Sequence, residues 1–241
     1  MPALKAPANL VTSKAFRERL ERRAKRAGVT VDAGILDRLE AYLRLLARWN
    51  SKVNLTSLPL DEPTDETFDR LLIEPLAAAR SVQDAWSPWF DIGSGGGSPA
   101  IPLKLAKPLL RLTMVESKAR KAAFLRETVR ALELGDTAVE TVRFEELASR
   151  PHVEGLAGIV TVRAVRLDKT LVASAGRLLR SNGHLLTFTQ TRTGPAYEAF
   201  DGPSSTVLLK SKHRRAYLLS YSRSDSNVPR GTFSLRIDKT R

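Results

Sequence analysis

The chain has 241 residues, of which 42% are hydrophobic, and it contains no cysteine. This length suits one large domain with a packed core, and the absence of cysteine excludes a disulfide framework and a thiolate nucleophile. The three histidines are scattered and show none of the spacings of a metal site. No apolar run approaches roughly 18 residues and no secretory leader pattern is present, so we expect a cytoplasmic protein without a metal or a membrane span.

Basic residues outnumber acidic ones, since 39 Lys and Arg stand against 26 Asp and Glu and give a formal charge of +13. Such an excess favours polyanionic partners, because Lys and Arg neutralise phosphates and release their counterions. We therefore expect nucleic acid as the partner. A basic surface that is merely solvated is the alternative.

The N-terminal part of the chain is predicted to be helical. Residues 1–11 contain two prolines and indicate a frayed tail. Ser13–Arg26 is predicted to form a basic helix, and Asp32 caps a second helix whose apolar residues recur every three or four positions. A third helix is predicted over 64–83, with a bend at Pro75.

From about residue 86 the pattern changes to alternating strands and helices, which is typical of an α/β sheet. Strands are predicted to end at Asp91 and Glu116 and to lie near 138–142, 159–162, 184–189, 206–209 and 216–221, with helices over 118–134 and 167–179 and a turn at Asn182 and Gly183. The last two strands form a hairpin that completes a mixed, seven-stranded sheet. We divide the chain into a helical extension (1–84), an α/β domain (85–223) and a basic, mobile tail (224–241).

One glycine-rich stretch organises the rest of the chain, and it contains Asp91, Gly93, Ser94, Gly95, Gly97, Ser98 and Pro99. An apolar run that ends in an acid, glycines and a proline predicts a strand that turns sharply into a helix. The glycines are spaced two apart, whereas the dinucleotide fingerprint would need glycine at position 98. Glycine lets a ligand lie against bare backbone, and the helix that follows offers free N–H groups to an anionic group.

A second acid, Glu116, ends the next apolar run. In α/β nucleotide-binding folds, a carboxylate at the end of the second strand accepts hydrogen bonds from ribose hydroxyls. Together with Asp91 it suits S-adenosylmethionine better than NAD, because the methyl donor carries an ammonium and a sulfonium but no pyrophosphate. The alternative is a structural glycine turn, with Glu116 as a solvated acid.

Several further motifs accompany the glycine stretch: Trp49-Asn50, Asn54-Leu55-Thr56-Ser57, Pro99-Ala100-Ile101-Pro102-Leu103, Arg120-Lys121, Phe124-Leu125-Arg126, Arg143-Phe144-Glu145-Glu146 and Arg163-Ala164. On these residues the chain resembles the bacterial small-subunit (16S) rRNA guanine-N7 methyltransferases, the glucose-inhibited division protein B family, over about residues 33–190. The resemblance implies a Rossmann-like, seven-stranded methyltransferase sheet with N-terminal helices. It also implies methyl transfer from S-adenosylmethionine to a guanine N7 of small-subunit rRNA, or of a 30S assembly intermediate, by a monomer.

By the same resemblance, the cofactor is bound by Asp91, Gly93, Ser94, Gly95, Gly97, Ser98, Glu116, Ser117, Phe144, Glu145 and Arg163. The glycines lie against the methionine part of the cofactor, and Glu116 takes the ribose. Asp91 orients the loop or takes the amino group, while Phe144 and Glu145 flank the adenine. Two alternatives stay open: Phe144 as a core aromatic, and Arg163 in an ion pair with Glu145 or Glu146.

The RNA contacts implied are Lys118, Arg120, Lys121 and Arg126, on a helix that starts beside the cofactor rim. They would clamp phosphates, which positions RNA without reading its sequence. A solvated helix surface is the alternative. For Trp49, Asn50 and Asn54, we favour capping of a turn over RNA contact.

The expected chemistry needs no general base, because guanine N7 has a lone pair and no proton. Positioning at about 3–3.5 Å should therefore dominate catalysis, so we assign no catalytic residue and keep Arg163 as the alternative. The chain departs from the family pattern at Leu71, where a histidine is usual, and at Pro75, where a serine is usual. An rRNA-binding protein without turnover and a methyltransferase for another substrate remain alternatives.

Overall fold

A mixed, seven-stranded sheet lies at the centre of the fold in the computed structural model, which describes residues 12–211 and 214–224. The strand order is β3-β2-β1-β4-β5-β7-β6; the first five strands are parallel, and β7 is antiparallel to both of its neighbours. This confirms the predicted fold class. The strands are β1 Trp89–Ile92, β2 Leu112–Val115, β3 Thr137–Glu140, β4 Ala157–Val162, β5 Leu179–Thr189, β6 Phe200–Lys210 and β7 Arg215–Arg223.

The strand order reverses direction beside β1, which pairs with β2 on one side and with β4 on the other. Ligands of open α/β sheets bind outside the carboxyl ends of the strands at such a switch point. Every residue of β1 and β4 is buried, as expected for parallel strands covered on both faces. The glycine stretch leaves β1 at this point.

The helices cover both faces of the sheet. They are α1 Ser13–Arg26, α2 Ala33–Asn50, α3 Asp65–Phe68, α4 Glu74–Ala78, α5 Ala100–Ala106, α6 Ala119–Ala131, α7 Phe144–Ala148 and α8 Lys169–Leu178. The α2 helix begins as predicted, because the Asp32 carboxylate accepts a hydrogen bond from the Ile35 N–H at 2.8 Å. Among the described residues, no helix is long and apolar enough to span a membrane.

The third helix predicted over 64–83 forms over residues 65–81, and it is irregular next to Pro75, where the sequence predicts a bend. The segment is divided into α3, a π-helical turn over Asp69–Ile73, α4 and a short 3-10 turn over Ala79–Ser81. Proline has no N–H, so Pro75 cannot bond the carbonyl one turn earlier, and the Glu74 N–H bonds to Asp69 instead. Sequence periodicity does not distinguish such a π-helical turn from a regular helix.

The turn predicted at Asn182 and Gly183 is wrong, because β5 continues through both residues. Asn182 adopts a left-handed conformation (φ +59°), and the pairing with β4 shifts register between Ala157 and Ile159. Asparagine tolerates this conformation, and β5 is irregular here without ending. The hairpin strands β6 and β7 are longer than predicted, because the polar, exposed half of β6 lacks an apolar pattern.

The N-terminal helices share one hydrophobic core with the sheet: Leu20, Leu39 and Phe68 belong to the same buried cluster as Trp89 and Met114. A second cluster covers the other face of the sheet. The domain boundary at residue 85 stays a prediction. Residues 1–11 and the predicted tail after Ser224 lie outside the described residues.

Candidate active site

The glycine turn after β1 contains three left-handed glycines. Gly93, Gly95 and Gly97 have φ values of +71°, +50° and +85°, which residues with a Cβ rarely adopt. The backbone N–H groups of Gly93 and Ser94 both donate to the Val115 carbonyl, at 2.9 and 3.1 Å. The turn is therefore anchored on β2 and bends across the carboxyl end of the sheet.

A cavity of about 460 Å³ opens beside this turn. Its volume lies within the ordinary range of small-molecule sites, roughly 300–1,000 Å³. Of the candidate residues, it brings together Gly93, Ser94, Gly95, Ser98, Glu116, Lys121 and Arg163. The opposite wall comes from Leu46 and from residues 54–58 of the N-terminal extension. The sequence interpretation missed this wall, although the Asn54-Leu55-Thr56-Ser57 motif marked it.

The other candidates do not line the cavity. A Cβ on Gly97 would lie 2.2 Å from the Ile101 side chain, so this glycine allows the turn to pack on α5. Phe144, at the start of α7, packs against the second hydrophobic cluster, as the core alternative required. Glu145 is half-buried beside it, and Ser117 is exposed. Their contact with an adenine stays a prediction.

Asp91 lies under the turn and is only 1% exposed. Its Oδ1 accepts a hydrogen bond from the Thr161 hydroxyl at 2.5 Å, whose oxygen in turn accepts one from the Trp89 indole at 2.8 Å. Its Oδ2 is buried and has no hydrogen-bond partner among the described residues. Burial raises the pKa of Asp91 to about 6, although Thr161, Ser94 and the charge of Arg163 act in the opposite direction.

Glu116 is buried as well, with 7% exposure. Its Oε2 accepts from the Gly95 N–H at 3.0 Å, and its Oε1 accepts from the Lys118 N–H at 2.8 Å. The carboxylate therefore connects the glycine turn to the start of α6. The alternative of a solvated strand-end acid is wrong, because these two N–H groups hold Glu116 against the turn.

The interrupted third helix supplies two free carbonyls to this site. The carbonyl of Leu71 would bond to residue 75 in a regular helix, but it accepts from the Ser98 hydroxyl at 2.9 Å. The carbonyl of Arg70 accepts from the Arg163 guanidinium. Pro75 thus frees the backbone groups that hold two cavity residues in place.

Arg163 also forms an ion pair with Glu74, so the alternative pairing with Glu145 or Glu146 is wrong. Glu74 is the first residue of α4 and directly follows the π-helical turn, and from this position its carboxylate reaches Arg163. The Arg163 guanidinium lies 5.3 Å from the centroid of the Phe188 ring. The next residue, Ala164, has a left-handed backbone (φ +57°), which is uncommon for a non-glycine residue and typical of functional sites.

Asn50 holds the opposite wall. Its Oδ1 accepts from the N–H groups of Leu55 and Thr56 at 2.8 and 2.9 Å, and its Nδ2 donates to the Thr56 carbonyl at 3.1 Å. The structure confirms Asn50 as a turn cap. Trp49 donates to the Glu127 carboxylate at 2.9 Å, which connects α2 to α6.

The four RNA-contact candidates differ in the contacts that their side chains make within the chain. Lys118 and Arg120 are exposed at the start of α6, and Lys121 lines the cavity. The Arg120 guanidinium donates to the Lys52 carbonyl at 3.0 Å. Arg126 donates to the Thr141 hydroxyl at 2.6 Å and to the Val139 carbonyl. Two of the four candidate side chains therefore support the fold, and their contact with RNA stays a prediction.

Comparison with solved structures agrees with the α/β fold. A crystal structure of a predicted O-methyltransferase from Agrobacterium tumefaciens aligns with a TM-score of 0.51 at 14% identity. It covers 64% of this chain and 82% of the other, and it supports the fold alone.

Sequence relatives are more specific. Proteins named ribosomal RNA small subunit methyltransferase G, from Xanthomonas axonopodis pv. citri and Roseiflexus sp., are each 38% identical to this chain. The alignments cover 65% and 68% of this chain and 70% and 68% of the relatives. A family model described as rRNA small subunit methyltransferase G matches residues 35–194. This chain, with its glycine turn and buried acids, therefore belongs to the rRNA small subunit methyltransferase G family.

Proposed function

We propose that this chain transfers a methyl group from S-adenosylmethionine to N7 of a guanine in small-subunit rRNA. The observation that carries the proposal is the turn of left-handed glycines, which meets a cavity at the switch point of the sheet. Family membership supports rRNA as the substrate. We further propose that the protein acts as a monomer in the cytoplasm, where small-subunit rRNA is assembled.

The residues present fit the cofactor. The unpartnered Asp91 Oδ2 suits an ammonium group, and the bare backbone of Gly93 and Gly95 suits a close approach of the methionine part. Glu116 retains lone pairs beyond its two backbone bonds, which ribose hydroxyls can use. When bound, S-adenosylmethionine supplies an activated methyl group on a positively charged sulfur.

The chain itself has only to bind and orient, because guanine N7 has no proton to remove. Holding reactants at about 3–3.5 Å in line supplies much of the acceleration for such a reaction. We propose that Arg163 is a positioning residue, since its guanidinium lines the cavity and is held by Glu74 and the Arg70 carbonyl. The extension 1–84 is proposed to be part of the site, because residues 54–58 form one of its walls.

The test is a comparison of small-subunit rRNA from cells with and without this gene, by mass mapping of modified nucleotides. We expect one N7-methylguanine to disappear on deletion. Calorimetry with S-adenosylmethionine and S-adenosylhomocysteine provides the second arm. Cofactor binding without any loss of methylation would instead support an rRNA-binding protein without turnover, and the absence of both would reject the proposal.

A further inference from the structure

A second, smaller cavity of about 160 Å³ adjoins the cofactor cavity, and Arg70, Arg163 and Ala164 line both. Its other walls include Glu74, Phe188 and Arg214. We propose that this second cavity receives the target base and that Glu74 and Arg214 recognise it as guanine. The inference rests on the proposed methyl transfer, and it adds the residues that would choose the base.

The charged groups of this cavity are not fully satisfied by the chain. Glu74 has a side chain 3% exposed, and its Oε1 lies 2.6 Å from Arg214 Nη2 without forming an aligned hydrogen bond. The Nε and Nη1 atoms of Arg214 are buried and have no hydrogen-bond partner among the described residues. A buried polar group without a partner is destabilising. This wall therefore offers one acceptor and two donors to a ligand.

The fold brings these groups together from four separate segments. Glu74 starts α4 after the π-helical turn, Arg163 follows β4, Phe188 lies near the end of β5, and Arg214 precedes β7. The Arg163 guanidinium lies over the Phe188 ring. A planar guanidinium packed on an aromatic ring gives a flat wall of the kind on which bases stack.

The donor and acceptor pattern matches guanine. The Watson–Crick edge of guanine has the O6 acceptor beside the N1–H and N2–H2 donors. The Oε1 atom of Glu74 can accept from N1–H while Arg214 donates to O6. Adenine presents an amino group in place of O6 and a bare N1 in place of N1–H, so both contacts would become repulsive. A base held by this edge keeps N7 free for methylation.

A free phosphate fits the cavity less well. Two arginines would attract an anion, but the Glu74 carboxylate lies between them and contacts both. A phosphate bound by the two arginines would lie next to this carboxylate, and two negative charges repel strongly in a poorly solvated site. A neutral ligand that brings donors to the carboxylate and an acceptor to the arginine satisfies all of these groups. Enzymes that modify bases commonly read a flipped base by its Watson–Crick edge.

The experiment titrates guanosine and adenosine 5′-monophosphates into the full chain saturated with S-adenosylhomocysteine, with ligand-observed NMR as readout. The phosphate is common to both nucleotides, so its contribution cancels. We expect tighter binding of the guanine nucleotide by about tenfold or more. Glu74→Gln should abolish this preference, whereas Arg215→Gln, which removes an exposed charge next to Arg214, should retain it.

Affinity for S-adenosylhomocysteine controls for folding, because Glu74→Gln leaves two buried arginines without their carboxylate. If that variant loses this affinity, Arg214→Gln serves instead, with weaker guanine and unchanged adenine nucleotide binding expected. Equal affinities for the two nucleotides, or an unchanged preference in both variants, would overturn the inference. Failure of the proposed function is distinct, because it appears as absent cofactor binding or as unchanged rRNA methylation on deletion of the gene.

Discussion

The hydroxyl of Tyr42 on α2 donates a hydrogen bond to the backbone carbonyl of Gly96 at 2.6 Å. Tyr42 is completely buried, so this bond is shielded from water. A Cβ on Gly96 would lie 3.2 Å from the Leu55 carbonyl, so the two sides of the cavity meet closely here. The N-terminal extension is thereby connected to the glycine turn by a direct, buried contact.

Tyr42→Phe should loosen this connection. It leaves the Gly96 carbonyl without its partner in a buried position, at a cost of about 1–3 kcal/mol in the free energy of unfolding. We expect about 1 kcal/mol of this cost to fall on the ordering of the glycine turn when the cofactor binds. Affinity for S-adenosylmethionine should then fall roughly fivefold. Urea unfolding and calorimetry measure the two effects. Tyr197→Phe, outside the cavity, should keep the affinity, and equal affinities in all three proteins would reject the connection.

Gly95→Val should eliminate binding of S-adenosylmethionine. The Cβ itself would meet only the Gly93 carbonyl at 3.7 Å, so the added side chain would occupy space beside the turn that the cofactor needs. The left-handed backbone adds strain of about 1–2 kcal/mol. Calorimetry measures binding, and thermal unfolding measures the strain.

Gly155→Val is the matched control for this substitution. Gly155 has a similar left-handed backbone (φ +63°), and no atom lies within 4 Å of the position that a Cβ would take there. We expect a comparable loss of stability with unchanged cofactor affinity. Retained binding in Gly95→Val would show that the cofactor does not approach the turn at this residue.

Asp91→Asn should change the pH dependence of stability. The folded protein holds the Asp91 proton with a pKa raised from 3.8 to about 6, so folding favours the protonated form. The stability contributed by this proton is complete below about pH 4 and is lost as the pH rises through about 6. The difference corresponds to about 3 kcal/mol.

Removing the carboxyl group removes this dependence. The stability of Asp91→Asn relative to the natural chain should therefore rise by about 3 kcal/mol between pH 4 and pH 8, measured by urea unfolding. Affinity of the natural chain for S-adenosylmethionine should rise through about pH 6 as Asp91 ionises, and this rise should be absent in the variant. Parallel stability curves for the two proteins would contradict the raised pKa.

Lys118→Gln should weaken binding of small-subunit rRNA without changing cofactor affinity. Lys118 is exposed at the start of α6, and only its backbone N–H contacts Glu116. Loss of one phosphate contact should reduce the slope of log affinity against log salt by about 1. Arg130→Gln, at the other end of the same helix, is the control and should leave the slope unchanged. Identical slopes for Lys118→Gln and the natural chain would show that Lys118 is solvated and does not contact RNA.

The local features of the fold were predictable from residue types alone. Asp32 caps α2 because a short carboxylate before an apolar helical repeat bonds the first N–H groups. The turn after β1 follows from glycines at 93, 95 and 97, since their backbone is left-handed. Buried apolar runs separated by helices indicated the parallel strands, whereas the strand order and its switch point came from the tertiary structure.

Interruptions of regular patterns were not predictable in the same way. Pro75 and Asn182 marked both positions in the sequence, but residue types did not predict the form of either interruption, a π-helical turn before Pro75 and a left-handed residue within β5 at Asn182. Likewise, the burial of Glu116 depends on two N–H groups that the glycine turn and α6 bring to it. A strand-end acid in the sequence is equally compatible with a solvated surface.

The sequence by itself determined the strands, the glycine turn and the acids near the ends of β1 and β2, because strand burial, left-handed backbone and capping depend on neighbouring residues. Only the tertiary structure decided the partners of Arg163. Its ion pair with Glu74 joins residues 89 positions apart, and Arg214 reaches the same carboxylate from the start of β7. Charges far apart in the chain have many possible partners, and the packing of α4 against the sheet selects one.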